Sequence, residues 1–263
     1  MAILALAMSG LGAIRDSLHH NADSTLSFAA MTVGKEKPIA KSALKQRPIR
    51  SFVLRTGRTT AGQRRAMQEL WPQYGIASGP TEIEFDKLFT RSAPVILEIG
   101  FGNGDNLLSM ACSAPKDNFL GIEVHEPGVG HCLLRIEERQ TDNIRIIRDD
   151  AVEVLQNRIP DKSLSRVNLF FPDPWHKKRH HKRRIVQPAF ITLLAQKLNQ
   201  GGIFHVATDW PNYAEHIAGV MNSCDDFEAL PDFPADRITT RFDTRGKRLG
   251  HANWERAWCT RNK

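Results

Sequence analysis

The sequence predicts an α/β fold, in which a mostly parallel, doubly wound sheet carries helices on both faces. Between residues 94 and 223, short β-branched apolar runs alternate five times with segments of helical spacing, and such alternation is typical of an open parallel sheet. The first strand-like run, VILEIG at 95–100, is almost continuously apolar. A strand that is buried on both faces is expected to read in this way.

The predicted strands and helices follow one another along the chain without an internal repeat. Strands are recognised by their β-branched and aromatic residues, and helices by apolar residues three or four positions apart. A Gly-Gly pair before the last strand is a common helix stop. Strands are predicted at 95–100, 118–124, 143–150, 165–171 and 201–209, and helices at 105–114, 128–140, 151–159, 187–198 and 212–223.

Composition divides the chain into three parts. Residues 1–45 are predicted to be a disordered extension, residues 46–93 a basic arm that packs on the core, and residues 94–263 the main domain. The opening stretch MAILALAMSGLGAI carries no charge before Arg15, whereas a secretory signal has a positively charged region ahead of its apolar stretch. A translation start at Met31 is therefore the preferred interpretation. The arm either touches RNA or only solubilises the chain.

Charge and cysteine usage narrow the class of protein. The formal net charge of +7 favours a polyanionic partner, and nucleic acid is the first candidate. The four cysteines form no C-x-x-C pair and no zinc spacing, which indicates reduced thiols without a metal. No apolar run approaches the length of a membrane helix, and we expect a cytoplasmic protein. We also expect a monomer.

Glycines and acids follow the first two predicted strands, at the edge where open α/β sheets bind their ligands. Gly100, Gly102 and Gly104 let the backbone approach a ligand and turn into the next helix. Their spacing departs by one residue from the dinucleotide fingerprint, because position 105 is Asp. Glu123 ends the second strand and is predicted to accept hydrogen bonds from both hydroxyls of a ribose.

Acids also follow the third and fifth strands. Of Asp149 and Asp150, one is predicted to accept from an adenine amino group and the other to cap the next helix. Asp150 directly precedes that helix and fits either role. Asp209 lies at the same edge after the fifth strand and is followed by Trp210.

The stretch FFPDPWHKKRHHKRR, residues 170–184, follows the fourth strand. Flanking prolines fix the backbone around Asp173, which suits a group held at a reacting centre. The basic run from Lys177 to Arg184 is predicted to neutralise phosphates, and Trp175 to offer a stacking face for bases. His176 and His180 lie four apart, but the neighbouring cations argue against a metal site.

Taken in order, these motifs resemble the bacterial tRNA (guanine-N7-)-methyltransferases, which have a Rossmann-like class I methyltransferase fold. The resemblance covers about residues 46–263, and its most specific part is the stretch around Asp173. It departs from the family pattern at TRFD (240–243), where the family usually reads TKFE, and at Glu255, where the family tends to have Asp. The matching stretches are IRSFVLRTGR, LEIGFGNGD, FLGIEVHEPGVG, DDAVEVL, LFFPDPWHKKRHHKRRIVQ, FHVATDWPNYAEH and TRFDTRGKRLGH.

The resemblance implies an activity and a set of site residues. It implies methyl transfer from S-adenosylmethionine to N7 of guanosine 46 in the variable loop of tRNA, with no metal. It assigns Asp173 as the catalytic residue. The cofactor contacts would be Glu98, Glu123, Asp150 and Asp173 beside the glycine loop, and the substrate contacts would be Lys177, Asp209, Thr240, Arg241, Phe242 and Asp243.

Three other interpretations stay open from the sequence. A nicotinamide-dependent oxidoreductase could use a similar sheet, although the glycine pattern argues against it. An RNA-binding module with an inactive methyltransferase core is a second alternative. A methyltransferase that acts on another guanine in RNA is the third, and it differs least from the favoured interpretation.

Overall fold

A computed structural model describes residues 49–53, 57–234, 237–239 and 252–261. The strands are β1 (Gly75–Ile76), β2 (Val95–Ile99), β3 (Asn118–Ile122), β4 (Ile144–Ile147), β5 (Leu164–Phe170), β6 (Leu198–Thr208), β7 (Phe227–Ala229) and β8 (Trp254–Thr260). The helices are α1 (Ala61–Glu69), α2 (Trp71–Tyr74), α3 (Phe85–Phe89), α4 (Asp105–Ser113), α5 (Glu126–Arg139), α6 (Ala151–Asn157), α7 (Pro188–Lys197) and α8 (Pro211–Asn222), with a 3₁₀ turn at Lys178–Arg183.

The strands form one sheet in the order β1-β4-β3-β2-β5-β6-β8-β7. The first six are parallel, and β8 pairs antiparallel with both β6 and β7. The order reverses between β2 and β5, because β3 and β4 lie on one side of β2, whereas β5 and β6 lie on its other side. Loops at such a reversal leave a crevice at the carboxyl ends of the strands, where ligands bind in open α/β sheets.

Two apolar layers cover the two faces of the sheet. On one face Val95, Leu97 and Ile99 of β2 belong to a cluster that includes residues of α6, α7 and α8. On the other face Ile96 joins residues of α1, α4 and α5. Successive side chains of a strand point to opposite faces, so Glu98 lies on the same face as Ile96.

All ten predicted strands and helices are present, with ends that differ by a few residues, and the mostly parallel doubly wound sheet is confirmed. Sequence analysis missed the antiparallel strands β7 and β8. Strand β8, WERAWCT, has two charged neighbours near its start, Glu255 and Arg256, which obscure the pattern of a strand.

The helices before residue 94 were also missed by sequence analysis. In α1 only Ala66 is buried, so its apolar periodicity is weak. The helix is specified instead by a capping box, in which Thr60 accepts from the Gln63 backbone and Gln63 accepts from the Thr60 backbone. An ion pair of 2.7 Å joins Arg65 to Glu137 of α5. Among the described residues, no helix is long and apolar enough to cross a membrane.

Candidate active site

The loop after β2 takes a conformation that requires glycine. Gly100, Gly102 and Gly104 all have positive φ, at 71°, 59° and 81°, which side chains with a Cβ rarely adopt. A Cβ on Gly104 would lie 2.3 Å from Sγ of Cys132, so glycine also allows α5 to pack closely there. A Cβ on Gly100 would meet nothing within 4 Å. The backbone at Gly100 is therefore open to a ligand.

Glu98 is a buried carboxylate beside this loop, only 4% exposed. Its Oε2 accepts from Nδ2 of Asn106 at 2.7 Å. Burial raises the pKa of Glu98 to about 7, against the lowering effects of the Asn106 hydrogen bond and the Arg166 charge. A buried carboxylate with so little compensation is well suited to receive a cationic ligand group, whose charge would favour the ionised form.

Glu123 is held quite differently at the end of β3. Its Oε1 accepts from the backbone N–H groups of Val124 and His125 at 2.7 and 2.9 Å, and its Oε2 accepts from Gly102 N–H at 2.9 Å. The side chain thereby ties the glycine loop to the next strand end. A carboxylate has about four acceptor positions, so this arrangement leaves room for one further donor, where sequence analysis expected two hydroxyls.

The structure separates the two aspartates after β4. Asp150 is the N-cap of α6, and its Oδ1 accepts from Val152 N–H at 2.9 Å. Asp149 Oδ1 accepts from the Asp150 backbone at 2.8 Å, and Asp149 lines two neighbouring cavities. Asp149, which the residues alone left as an alternative to Asp150 and the resemblance did not include, thus faces the ligand edge at least as directly as Asp150 does.

The loop after β5 holds Asp173 in an unusual backbone. Phe171 and Trp175 on either side have φ of 50° and 49°, a region that is costly for residues with large side chains. Pro172 and Pro174 fix the backbone between them. Oδ1 of Asp173 accepts from Trp175 N–H at 3.0 Å, and no described residue hydrogen-bonds Oδ2. The loop therefore presents one carboxylate oxygen outward on a rigid support.

Trp175 does not offer a stacking face to bases, contrary to expectation. Its side chain is 9% exposed, and Nε1 donates to the carbonyl of Ser51 at 3.1 Å. Arg183 lies 4.1 Å over its ring and donates to the carbonyls of Arg50 and Phe52, both at 3.1 Å. Both side chains fasten residues 50–52, which we call the strap, to the loop that follows Asp173.

Arg184 is likewise turned inward and is not a phosphate contact. It is 2% exposed, donates to Pro174 O at 3.0 Å and to Asn212 Oδ1 at 2.7 Å, and lies 4.8 Å over the Tyr213 ring. These contacts join the Asp173 loop to α8. Sequence analysis treated the basic run as uniform, because periodicity cannot reveal which side chains of a short irregular turn point inward.

The remaining cations of the run face solvent. Lys177, Lys178, Arg179 and Lys182 are exposed at the surface of the 3₁₀ turn and just before it. Behind them the His176 ring contacts the Trp210 ring, with centroids 4.2 Å apart. That contact brings the loop after β5 beside the loop after β6, which carries the half-buried Asp209.

Two cavities at the carboxyl edge share Gly100, Phe170 and Phe171. The first, about 220 Å³, has Glu123, Asp149 and Asp173 in its wall. The second, about 350 Å³, has Glu98, Gly102 and Asn106 in its wall. The strap closes the first cavity on one side through Ser51 and Phe52. The cavities together form a cleft with apolar walls and a carboxylate at each end, a composition typical of small-molecule sites.

Four residues predicted to contact substrate lie outside the described residues: Thr240, Arg241, Phe242 and Asp243. Before that segment, Ile238 N–H donates to Oδ1 of Asn106, which lines the second cavity; after it, Glu255 lies 2.7 Å from Nε2 of His205 in β6. Within the described part of the chain, no group of three or more His, Cys, Asp or Glu side chains could hold a metal ion.

Comparison with known proteins gives concordant results. A family model described as "Putative methyltransferase" matches residues 92–256. The chain is 53% identical over 215 residues to a tRNA (guanine-N(7)-)-methyltransferase of Shewanella amazonensis, covering 80% of this chain and 90% of the relative. It is 54% identical over 218 residues to the Aeromonas hydrophila protein of the same name, covering 80% and 91%.

A solved structure resembles the fold at low sequence identity. The 16S rRNA methyltransferase KamB superimposes with a TM-score of 0.50 at 14% identity, covering 68% of this chain and 93% of that one. At this identity the likeness shows the fold alone, which is that of class I methyltransferases.

Proposed function

The chain belongs to the tRNA (guanine-N(7)-)-methyltransferase family, and from this we propose that it transfers a methyl group from S-adenosylmethionine to N7 of guanosine 46 in the variable loop of tRNA. The activity on tRNA guanine N7 and the use of S-adenosylmethionine follow from the family. The nucleotide position, the residue roles below and a cytoplasmic location are proposals. The observation that carries the residue roles is a rigidly held Asp173 at the rim of a cleft that has Glu98 at its other end.

The cleft fits S-adenosylmethionine on chemical grounds. The amino acid part of the cofactor carries an ammonium group, which matches the buried, weakly compensated Glu98 carboxylate. A ribose hydroxyl matches the remaining acceptor position on Oε2 of Glu123. The walls formed by Ile122, Leu169 and Phe170 suit an adenine ring, whose amino group would face Asp149 and Asp150.

The glycine loop and the strap would enclose the cofactor between the two ends of the cleft. The open backbone at Gly100 and Gly102 admits it between the two carboxylates, and Gly104 turns the chain into α4. The strap, anchored by Trp175 and Arg183, forms the outer wall and excludes water from that side. The bound cofactor supplies an electrophilic methyl group on a sulfonium, and the residues around it supply position and charge.

Guanine N7 carries a lone pair and no proton, so the reaction needs no general base to create a nucleophile. The chain therefore contributes alignment and electrostatics. Positive charge moves toward the guanine ring during transfer, and the outward oxygen Oδ2 of Asp173 would stabilise that charge while it holds the edge of the base. The strained, proline-fixed loop keeps this oxygen in place.

The tRNA would bind across the edge that carries the exposed cations. Lys177 and its neighbours in the 3₁₀ turn face solvent and can approach phosphates. Asp209 lies beside them because the His176 and Trp210 rings join their loops. We propose that Thr240, Arg241, Phe242 and Asp243 complete the substrate contacts.

A methyl-transfer assay tests this function. Purified protein is incubated with radiolabelled S-adenosylmethionine and unmodified tRNA, and the RNA is then cleaved chemically at 7-methylguanosine. We expect label in the RNA and a single cut at position 46, absent for tRNA in which that guanosine is replaced by adenosine.

Other results would redirect the assignment. Label without a cut in the variable loop would mean a methyltransferase with a different target. Salt-sensitive tRNA binding without label would mean an RNA-binding module with an inactive core.

A further inference from the structure

A row of polar side chains crosses the sheet beneath the cleft, on the face that also carries Ile96. Glu98 of β2, Asn168 of β5 and His205 of β6 are neighbours in register, and they are 4%, 0% and 1% exposed. Parallel strands normally bury apolar residues on both faces. Burying polar groups lowers stability unless every one finds a partner. The partners of these three side chains therefore indicate the role of the row.

The row continues as a chain of hydrogen bonds toward the C-terminal strand. Nε of Arg166 donates to Asn168 Oδ1 at 2.7 Å, and Nη2 of Arg166 lies 2.7 Å from Nδ1 of His205. Nε2 of His205 lies 2.7 Å from Oε1 of Glu255. Nε of Arg237 then donates to Oε2 of Glu255 at 2.9 Å.

The protonation of this chain follows from its donors. A guanidinium has no acceptor, so Arg166 must donate to Nδ1, and His205 is neutral with its proton on Nε2. That proton is donated to Glu255. Burial acts to raise the pKa of Glu255, but the His205 hydrogen bond and the Arg237 charge outweigh it and hold the pKa below its ordinary value. Glu255 is thus an ionised acceptor that fixes Arg237 from one side.

The other side of the Arg237 guanidinium faces the loop that carries Asp173. Its guanidinium carbon lies 5.1 Å from the ring centroid of Phe171 and 5.8 Å from that of Phe170. Phe171 is the residue with positive φ that opens the Asp173 loop, and both rings line the cleft. The cation–π contact is suited to hold Phe171 in this costly conformation.

The next residue, Ile238, ties the same segment to the end of the cleft that carries Glu98. Ile238 N–H donates to Oδ1 of Asn106 at 3.2 Å, while Nδ2 of Asn106 donates to Glu98 at 2.7 Å. Residues 237 and 238 therefore contact the cleft where its two cavities meet and at the end that carries Glu98, immediately before the segment 240–243.

We propose that Arg237 is a positioning residue for methyl transfer, held by the chain Arg166–His205–Glu255 and acting through Phe171 on the loop that carries Asp173. The proposal rests on the proposed function. It assigns Arg237 no contact with substrate or cofactor, so its removal should slow the chemical step and leave binding intact. Misplacing a reacting group by about 1 Å can cost on the order of 100-fold in rate.

The test compares Arg237→Met with Arg256→Met. Both variants lose one cation on a similar aliphatic stem, but Arg256 is exposed. Arg256 donates to the Glu255 backbone carbonyl at 2.8 Å and lies over the Trp254 ring, with no contact to Phe170 or Phe171 among the described residues. We expect Arg237→Met to lower kcat by ~30-fold, within the range for a displaced group, with the KM values for S-adenosylmethionine and tRNA within about twofold. Arg256→Met should behave as the wild type.

A second variant keeps the proposal testable if Arg237→Met folds poorly. Glu255→Gln leaves Arg237 in place but removes its ionised partner, and should give a similar defect in kcat. The double variant should be no slower than the slower single variant, because the two residues act as one unit. Thermal unfolding and calorimetric cofactor binding show whether each variant is folded.

Several outcomes would overturn the proposal. One is wild-type kcat in a folded Arg237→Met protein. Another is a raised KM for tRNA at unchanged kcat, which would make Arg237 an RNA contact. A third is a defect in Arg237→Met that Glu255→Gln does not share. Since the wild type is assayed in parallel, loss of its activity would speak against the proposed function instead.

Discussion

The charged side chains at the carboxyl edge of the sheet fall into a buried group and an exposed group. Glu98 and Arg184 are 4% and 2% exposed, and half-buried Arg183 is fastened to the strap. Lys178 and Lys182, from the same basic run, face solvent. Neighbours in sequence with the same charge thus have opposite surroundings.

The buried charges hold the loops of the site in place, whereas the exposed charges are free to meet a partner. A buried charge is costly unless it is compensated, so its contacts reveal the structure it supports. Arg184 supports the Asp173 loop, Arg183 holds the strap, and Glu98 lies in the wall of the second cavity beside the glycine loop. An exposed charge costs little and adds little to stability, and it remains available to phosphates. Substitutions at Arg184, Glu98, Arg183, Lys178 and Lys182 test this division, in decreasing order of expected effect.

The largest effect is expected from Arg184→Met. It removes the donors to Pro174 O and Asn212 and leaves these acceptors without their partner. The free energy of unfolding should fall by about 4 kcal/mol, within the range for a broken buried charged contact. Urea denaturation measures this, with Lys182→Met as the control that stays within about 0.5 kcal/mol of wild type. Equal losses of unfolding free energy in Arg184→Met and Lys182→Met would contradict the division into buried and exposed charges.

Glu98→Gln should have a somewhat smaller effect, of opposite sign. Its folded-state pKa of about 7 lies above the ordinary 4.5, so the ionised form destabilises the fold. This penalty is complete above pH 7 and disappears as the pH falls toward 4.5. At pH 8 the variant without cofactor should be more stable by up to about 3 kcal/mol, as denaturation at pH 8 and pH 5 would show, while its affinity for S-adenosylmethionine falls.

Glu123→Gln is the contrasting variant for that experiment. The Glu123 carboxylate accepts three backbone N–H groups, and an amide offers fewer acceptor positions. We expect it to lose stability at pH 8. A gain in stability for both variants, or for neither, would show that Glu98 is not the destabilising group.

Arg183→Met should weaken cofactor binding about tenfold, equivalent to ~1.4 kcal/mol. The strap loses two hydrogen bonds from a charged donor and no longer closes the first cavity firmly. Calorimetric titration with S-adenosylhomocysteine measures the change, and Arg179→Met, an exposed neighbour, should leave this affinity unaltered. An unchanged affinity for S-adenosylhomocysteine in Arg183→Met would show that the strap is not part of the cofactor site.

The smallest effects are expected from the exposed lysines. Lys178→Met and Lys182→Met should each weaken tRNA binding by a few-fold and lower the slope of log K against log salt by about 1 where a phosphate contact is lost. Filter binding at several salt concentrations measures both quantities. Unaltered affinity and slope in both variants would place the tRNA on another surface.

Much of the fold was predictable from sequence. The composition of the apolar runs at β2 and β3 is enough to predict strands. The glycine loop and Glu123 indicate the ligand edge because each directly follows a strand. By contrast, α1 depends on a capping box and a contact with α5, and β8 depends on pairing with β6 and β7 at a distance in the chain. Pairing of that kind leaves no local periodicity to read.

The sequence indicated which acidic residues lie at the ligand edge, but not which charged side chains there are buried. Asp173 stands out through its flanking prolines, whereas no sequence pattern distinguishes Arg184 from Lys182. Asp149 was undervalued because the choice between capping and facing the ligand depends on one backbone turn. The link from Glu255 to Arg237 arises only when β8 pairs with β6, so it was invisible before the sheet was built.

The proposed mechanism depends most on Asp173 as the group that acts on the reacting base. Single-turnover methyl transfer at saturating cofactor and tRNA should be measured for Asp173→Asn, which keeps the shape of the side chain and removes its charge. We predict a rate about 100-fold below wild type, within the range for lost electrostatic stabilisation, with cofactor and tRNA affinities nearly unchanged. A wild-type rate in Asp173→Asn with unchanged cofactor binding would contradict the proposed mechanism.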